Sequence, residues 1–401
     1  MKGTIAFVPP RYGAGVVGGA EAVLTEMAHG LAARGWDVEV LTTCAQDHYT
    51  WANHFPAGTE RDGDVTVTRF PIVKDTSGAQ RAELHARILA GERLNISEEQ
   101  LWVNDSMRVP ELWHHVLDHG HRYRAIVLAP YMFWTTFAVG QIHPDRTILM
   151  PCLHDEPEAR LRIFQPLFAG ARGIWFLSDP EAELASEIFA LPPRTAVVGA
   201  GMALPDQYDP EGFRKRHGIE GPFVYYAGRR EGAKSWPELV DAYAEMRRTR
   251  GLDLTLVTSG IGPVDVPDEH PYDGIVDLGF VSDEERNDAM AAAAAYVQPS
   301  ALESFSRTVL EAFGAGTAVI ANAAGAVVSW HIERTGAGVT YENRHQLVEA
   351  LAAVAEHPSA FESLAVDARG YVEAHYRPDV VLDQLEELLG SWMREVPSCA
   401  S

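Results

Sequence analysis

Short apolar runs alternate with amphipathic stretches along almost the whole chain. In the first half the apolar runs predict buried strands of a parallel sheet. They are Thr4–Val8, Val38–Thr42, Ala125–Ala129, Thr147–Met150, Gly173–Leu177 and Ala196–Val198. Helical patterns lie between them, and a longer helical excursion runs from residue 80 to residue 120. This alternation predicts a doubly wound α/β domain.

The pattern breaks at Gly199-Ala200-Gly201-Met202-Ala203-Leu204-Pro205 and then restarts. The second half predicts another set of buried strands: Phe223–Ala227, Leu252–Thr258, Ile275–Leu278, Tyr296–Gln298, Ala318–Ala321 and Gly338–Tyr341. We therefore expect two Rossmann-like domains that face a central cleft, spanning residues 1–203 and 204–378. A last helical pattern follows, and residues 379–401 could pack back on the first domain.

The second domain contains the most informative element, residues 300–316. Ser304 or Ser306 can cap a helix there, and the open amides of its first turn would face an anion. The apolar positions of the helix are expected to point inward: Val309, Leu310 and Phe313. Glu303 precedes the cap and Glu311 lies about a turn and a half beyond it. A phosphate site beside two carboxylates that accept from hydroxyls indicates a nucleotide-sugar site.

Charge and cysteine content narrow the function further. A formal net charge of −23 argues against nucleic acid as a partner and weakens docking on anionic lipid. The three cysteines are widely spaced, which favours neither a disulfide framework nor a zinc site. No secretory signal is evident, and no apolar run approaches the ~18 residues that would span a bilayer. We expect a cytoplasmic protein, with at most weak membrane association and an open oligomeric state.

Two motifs are set aside. Residues 13–19 match the dinucleotide pattern G-x-G-x-x-G, but no acid ends the second strand to hold a ribose, so NAD binding is disfavoured. The glycines remain useful because backbone can approach a ligand there, beside the start of the first helix. Asp62-Gly63-Asp64 imitates a metal-binding D-x-D motif, and we interpret it as a surface turn.

Cations follow the first strand of the second domain, in Gly228-Arg229-Arg230-Glu231-Gly232-Ala233-Lys234. This loop lies at the carboxyl end of a strand, where fixed cations can neutralise a leaving diphosphate without a metal. In the first domain, His154 also follows a strand. We expect it to face the cleft.

Taken in order, these motifs resemble the family-4 retaining glycosyltransferases of the GT-B architecture, over nearly the whole chain. The motifs are Gly18-Gly19-Ala20-Glu21, His154-Asp155, Gly228-Arg229 with Lys234, Gly279-Phe280-Val281, and Glu303 with Glu311. The resemblance implies a metal-independent, retaining transferase with a nucleotide diphosphate sugar as donor. It implies no cofactor, because the nucleotide sugar is a substrate.

The resemblance also implies roles for matched positions. Arg229 and Lys234 would bind the donor diphosphate, with the amides of Arg307 and Thr308 and the Gly18-Gly19 loop. Glu311 would accept from the ribose, and backbone at Val281 would contact the base. The donor sugar would contact Glu303, backbone at Phe305 and Ser306, and His154. The catalytic set is then Glu303, His154, Arg229 and Lys234.

Two positions depart from the family pattern. Ser306 stands where the family commonly has glycine, which changes how closely a sugar hydroxyl can approach. Residues 322–327 lack the glutamate that the family often has there, so no role is assigned to them.

The acceptor is expected to be small and soluble: a natural-product intermediate, a cyclitol or a low-molecular-weight thiol. A lipid-linked or polysaccharide acceptor at the membrane is the alternative. A sugar-nucleotide 2-epimerase and a nucleotide-sugar-binding protein without catalysis remain alternatives of other classes.

Overall fold

A computed structural model describes residues 2–74, 78–264 and 274–393. The chain divides into two compact units, and the first of them is discontinuous in sequence. Unit 1 runs to Gly201 and resumes at Pro378, whereas unit 2 comprises Met202–Arg377.

Unit 1 is built on an eight-stranded sheet in the order β3-β4-β2-β1-β5-β6-β7-β8. Its strands are β1 (Thr4–Val8), β2 (Asp37–Thr43), β3 (Gly58–Asp62), β4 (Val65–Phe70), β5 (Tyr123–Leu128), β6 (Thr147–Leu149), β7 (Gly173–Phe176) and β8 (Thr195–Val197). The β3–β4 pair is antiparallel and the other neighbours are parallel. Asp62-Gly63-Asp64 makes the β3–β4 turn, with Gly63 at φ +58°.

Helices flank this sheet. They are α1 (Gly19–Ala33), α2 (Ala79–Leu89), α3 (Ile96–Asn104), α4 (Pro110–His119), α5 (Trp134–Val139), α6 (Gln165–Gly170) and α7 (Asp179–Ile188). The excursion at 80–120 thus resolves into α2, α3 and α4. Asn95 caps α3, because its side chain accepts from the amides of Ser97 and Glu98. Trp102 of α3 is fully buried and belongs to the core on this face of the sheet.

Unit 2 contains a six-stranded parallel sheet in the order β11-β10-β9-β12-β13-β14. The strands are β9 (Phe223–Ala227), β10 (Thr255–Ser259), β11 (Ile275–Asp277), β12 (Ala295–Gln298), β13 (Val319–Asn322) and β14 (Gly338–Tyr341). The helices are α8 (Pro210–His217), α9 (Trp236–Arg250), α10 (Asp283–Ala292), α11 (Arg307–Gly314), α12 (Ala326–Thr335), α13 (Arg344–Glu356), α14 (Pro358–Leu364) and α15 (Ala368–Tyr376).

The strand order of unit 2 determines where a ligand can bind. The chain moves outward from β9 to β11 and then returns to place β12 on the other side of β9. The loops after β9 and β12 therefore flank a topological switch point, where doubly wound sheets bind their ligands. The prediction of two doubly wound α/β bodies is confirmed. No helix within the described part of the chain is long and apolar enough to cross a bilayer.

After unit 2 the chain returns to unit 1 as α16 (Pro378–Trp392). Glu386 accepts a hydrogen bond from Trp36 Nε1 at 2.7 Å, and Asp383 pairs with Arg34 at 2.5 Å. At the other end of the helix, Arg172 donates to the carbonyl oxygen of Trp392 at 2.7 Å. The apolar side of α16 is buried. The helix is therefore part of the packing of unit 1.

A substitution at Gly173 is expected to disturb this packing. A Cβ there would lie 2.3 Å from Cζ3 of Trp392 and 3.1 Å from the Arg194 carbonyl oxygen. Gly173→Ala should therefore cost about 2 kcal/mol of unfolding free energy. Gly390→Ala in α16 is the matched control, because nothing lies within 4 Å of its Cβ position and alanine favours the helix. Urea unfolding measures the free energy of unfolding of both variants. A Gly173→Ala protein more stable than Gly390→Ala would contradict the packing argument.

Candidate active site

The loop between β12 and α11 contacts the loop after β9. Lys234 Nζ lies 2.7 Å from Glu303 Oε1, and both side chains are partly buried, at 26% and 14% exposure. Lys234 ends a short 3₁₀ turn, Gly232–Lys234, that follows the glycine–arginine stretch. The structure thus brings together two predicted site residues that are 69 positions apart.

The two arginines of the β9 loop have different environments. Arg230 is buried, donates to both Asp277 carboxylate oxygens at 2.9 and 3.0 Å, and also donates to the Gly262 carbonyl oxygen. Arg229 is half-buried and lies 2.8 Å from Glu231. Arg230 therefore anchors the loop, which leaves Arg229 and Lys234 as the candidate ligand-binding cations.

The backbone after β10 packs closely against the β9 loop. Gly260, at the end of β10, has φ +136°, and a Cβ there would lie 1.9 Å from the Gly228 carbonyl oxygen. The Tyr226 hydroxyl donates to the Arg229 carbonyl oxygen at 2.7 Å. These contacts fix the backbone from which Arg229 projects.

Ser306 occupies the N-cap position of α11 with φ +60°, the left-handed region that favours glycine. Its hydroxyl makes no capping bond, so the predicted side-chain cap is wrong. The side chain is buried, and Oγ accepts from Gln298 Nε2 at 3.0 Å. Gln298 Nε2 also lies 3.4 Å from Thr308 Oγ1. The serine therefore keeps the backbone conformation of a glycine and adds a hydroxyl that β12 holds in place.

Phe305 and Arg307 lie on either side of this serine. The Phe305 side chain is buried and packs edge-on against Tyr376, so only its backbone remains for a ligand. Its carbonyl oxygen lies 3.2 Å from Nε2 of His331. Burial lowers the pKa of His331 to about 3, so the neutral ring donates to that carbonyl and accepts from Tyr371 through Nδ1 at 3.0 Å. Arg307 begins α11 and is half-buried.

Glu311 is held by a partner that the sequence does not indicate. Arg286 of α10 donates to both of its carboxylate oxygens, each at 3.0 Å. The Glu311 side chain is 10% exposed and that of Arg286 is 25% exposed. The carboxylate is thereby held in one orientation, and each oxygen retains a lone pair for another donor.

The predicted base contact lies after β11. Gly279 has φ +65°, and its amide donates to Asp277 Oδ1 at 2.8 Å. Phe280 is 70% exposed, whereas Val281 is half-buried immediately before α10. Backbone contact with a base at Val281 stays a prediction.

In unit 1, the glycine loop after β1 is held by a buried ion pair. Arg11 donates to Glu21 Oε1 at 2.6 and 2.9 Å and to the Val17 carbonyl oxygen at 3.2 Å. A Cβ on Gly18 would lie 2.1 Å from the other Glu21 oxygen, whereas the Cβ position of Gly19 is open. Gly18 therefore fits only without a side chain.

His154 lies on the loop after β6, with Nδ1 at 3.6 Å from Glu156 Oε2. Its side chain is 29% exposed. The amide of the preceding residue, Leu153, donates to Glu181 Oε1 at 2.7 Å.

Solved structures share this architecture. The chain aligns with sucrose-phosphate synthase from Thermosynechococcus elongatus at a TM-score of 0.73 and 18% identity, covering 96% of this chain and 98% of that one. HepE from Anabaena, solved in complex with UDP-glucose, gives a TM-score of 0.69 and 18% identity, covering 97% and 100%. At this identity the likeness concerns the fold.

Sequence comparison adds the activity class. D-inositol 3-phosphate glycosyltransferase from Frankia alni is 29% identical over 339 residues, which cover 78% of this chain and 79% of the relative. Residues 221–357 match the family described as Glycosyl transferases group 1, a stretch that contains Arg229, Lys234, Glu303 and Glu311. The chain is a GT-B glycosyltransferase.

Several residues of this glycosyltransferase that hold the site were missed by sequence reasoning. They are Glu181, Arg286, Gln298 and His331. Glu181 had a detectable signal, since it stands three residues after Ser178 at a helix start, in the spacing of a capping box. Arg286 had none, because a lone arginine in an acidic helix resembles a solvated charge.

Proposed function

We propose that this glycosyltransferase transfers a sugar, with retention and without a metal, from a nucleoside diphosphate sugar to a small soluble acceptor in the cytoplasm. The observation that carries the proposal is the 2.7 Å contact between Lys234 Nζ and Glu303 Oε1 at the head of α11. It joins a cation suited to a diphosphate with a carboxylate suited to a sugar hydroxyl.

The cations would receive the donor diphosphate. Each has a carboxylate partner in the structure, Glu231 for Arg229 and Glu303 for Lys234. A diphosphate carries more charge and more acceptor atoms than either carboxylate, so it can take over both cations. The amides of Arg307 and Thr308, in the first turn of α11, would donate to the same diphosphate.

The two site carboxylates would contact different parts of the donor. Glu311, oriented by Arg286, accepts from ribose hydroxyls through its remaining lone pairs. Glu303 accepts from a hydroxyl of the sugar, beside the backbone of Phe305 and Ser306. Backbone at Val281 contacts the base. In unit 1, we assign His154 to the donor sugar and the amides of Gly18 and Gly19 to the diphosphate.

The chemistry then follows from charge. The bond from the anomeric carbon to the diphosphate oxygen breaks, and Arg229 and Lys234 stabilise the charge that develops on the leaving group. The acceptor oxygen attacks the same face of the oxocarbenium-like sugar. Its proton passes to the departing phosphate oxygen, so no covalent nucleophile is required.

The acceptor is proposed from two observations. The net charge of −23 disfavours docking on anionic lipid. The Frankia relative is named for transfer to D-inositol 3-phosphate. A polyhydroxylated cyclitol is therefore the first acceptor class to test.

Nucleotide binding tests the donor assignment. Thermal shift with UDP, GDP, ADP and dTDP should raise the melting temperature for at least one nucleotide, because a ligand at 100 times its Kd stabilises the folded state by about 2.7 kcal/mol. The matching nucleoside monophosphates are the control for the diphosphate site. If none of the four diphosphates raised the melting temperature, the donor site would be wrong.

A transfer assay tests the acceptor class, the retention of configuration and the metal independence. With the matching nucleotide sugar, inositol and D-inositol 3-phosphate should yield a glycoside whose anomeric proton coupling equals that of the donor. Activity in excess EDTA supports metal independence, and loss restored only by a divalent cation contradicts it. Turnover of the donor sugar without acceptor would indicate an epimerase, and strong sedimentation with anionic vesicles at low salt would favour a lipid-linked acceptor.

A further inference from the structure

A buried carboxylate in unit 1 has no part in the donor contacts proposed above. Glu181 lies in the first turn of α7 and is 1% exposed. Its Oε1 accepts from the Leu153 amide at 2.7 Å, and its Oε2 accepts from the Leu177 amide at 2.6 Å. The amide of Cys152 also donates to this carboxylate. Three backbone donors thus converge on one side chain.

These bonds connect two loops at the carboxyl edge of the sheet. Leu177 follows β7, while Cys152 and Leu153 follow the neighbouring strand β6. Cys152 has φ +52°, a conformation that non-glycine residues adopt only where the surroundings impose it. The Glu181 carboxylate accepts from the amides of Cys152 and Leu153, and His154 directly follows Leu153 in the chain. The carboxylate therefore sets the backbone from which the imidazole projects.

We propose that Glu181 is a positioning residue for His154, acting through the Cys152–Leu153 backbone, so that its charged carboxylate sets where the imidazole points. The inference rests on the proposed function for the catalytic consequence, because His154 is assigned there to the donor sugar. The geometric part concerns only unit 1 and can be tested without turnover.

The charge state of the carboxylate has a consequence for pH. Burial raises the pKa of Glu181 to about 7, although the amides of Leu177, Leu153 and Cys152 and the nearby His154 oppose the rise. The buried Cys152 thiol lies near this carboxylate and also near Glu21 of α1, which pairs with Arg11. The anion is the better acceptor for amides, so the loop is held most firmly above pH 7.

The contribution of Glu181 to the free energy of unfolding should change with pH in the opposite direction to its hold on the loop. The folded-state pKa lies above the usual 4.5, so the folded state binds the proton more tightly than the unfolded chain. The contribution of Glu181 to unfolding free energy therefore falls as pH rises from about 4.5 to about 7. If Glu181 acts only in folding, the activity of the folded enzyme should not fall as the pH drops below 7. If Glu181 positions His154, the activity of the wild type should fall there, and Glu181→Gln should lack this pH dependence.

The decisive experiment is a double-mutant cycle of Glu181→Gln and His154→Ala. Alone, Glu181→Gln should lower kcat about 10- to 100-fold with donor KM within about threefold, because misplacing a reacting group costs rate rather than binding. In the His154→Ala background the same change should lower kcat less than about threefold. Glu187→Gln, exposed on the same helix, is the matched control and should match the wild type.

Nuclear magnetic resonance provides a readout that needs no turnover. The imidazole signal of His154, assigned by its absence in His154→Ala, should shift in Glu181→Gln and not in Glu187→Gln. In the wild type, the chemical shifts of the Leu153 and Leu177 amide protons should change together near pH 7. This measurement tests the inference even if Glu181→Gln fails to fold. Additive losses in the cycle, an unmoved His154 signal or amides that do not titrate would each overturn it. If the wild type showed no transfer, the proposed function would fail while these signals still tested the positioning.

Discussion

Replacing Lys234 by methionine is expected to lower kcat by about 10²- to 10³-fold, the largest effect of any single substitution at the site. Methionine keeps most of the side-chain volume and removes the charge. The leaving diphosphate then lacks one of its two fixed cations, and Glu303 loses the partner at 2.7 Å. An uncompensated carboxylate in that position also repels the donor. Steady-state kinetics with the donor and acceptor that the binding and transfer tests select measure both effects.

Lys215→Met is the matched control, because this lysine is exposed on α8 of the same unit. It should leave kcat and KM unchanged. Melting temperatures of both variants separate lost chemistry from lost fold. A Lys234→Met enzyme that folds and keeps more than about a third of wild-type kcat would remove Lys234 from the diphosphate assignment.

Glu311→Gln is expected to weaken nucleoside diphosphate binding about 10- to 100-fold while kcat at saturating donor stays within about threefold. A hydrogen bond to a charged group contributes about 1.5–3 kcal/mol, and the ribose lies away from the reacting bond. The amide would also present an NH₂ group either to the ribose or to Arg286, which now bonds both carboxylate oxygens. Titration calorimetry gives the Kd directly.

Glu284→Gln, exposed on α10, is the control for this change and should bind nucleotide normally. Arg286→Met provides a second comparison, since it keeps the carboxylate but removes the group that orients it. Its Kd should lie between those of the wild type and Glu311→Gln. Equal affinity in the wild type and Glu311→Gln would show that the ribose is recognised elsewhere.

Sequence reasoning recovered the α11 element well because its signals are local. A carboxylate before a cap, apolar positions at helical spacing and a following glycine are all visible within residues 300–316. The contact between Lys234 and Glu303 was also within reach, because loops after neighbouring parallel strands meet at one edge of the sheet. The strand order of the structure, with β12 beside β9, is what brings these two loops together.

Other parts of the site depend on packing that no local pattern encodes. Arg229 and Arg230 are adjacent and chemically identical, yet only Arg230 turns inward to Asp277, 47 positions away. Glu311 and Arg286 meet because α10 packs against α11. Glu181 reaches Leu153 from 28 positions away. In each case the sequence contains the partners, and tertiary structure decides which of them pair.

The return of the chain to unit 1 through α16 has a consequence for biosynthesis. Trp36 finds its partner Glu386 only 350 positions later, so on the ribosome unit 1 stays incomplete until unit 2 has been translated. Until then Gly30 of α1, which packs against Leu382, has no cover. Unit 2 is contiguous and can fold as it emerges, whereas nascent unit 1 leaves this surface of α1 uncovered until α16 has been translated.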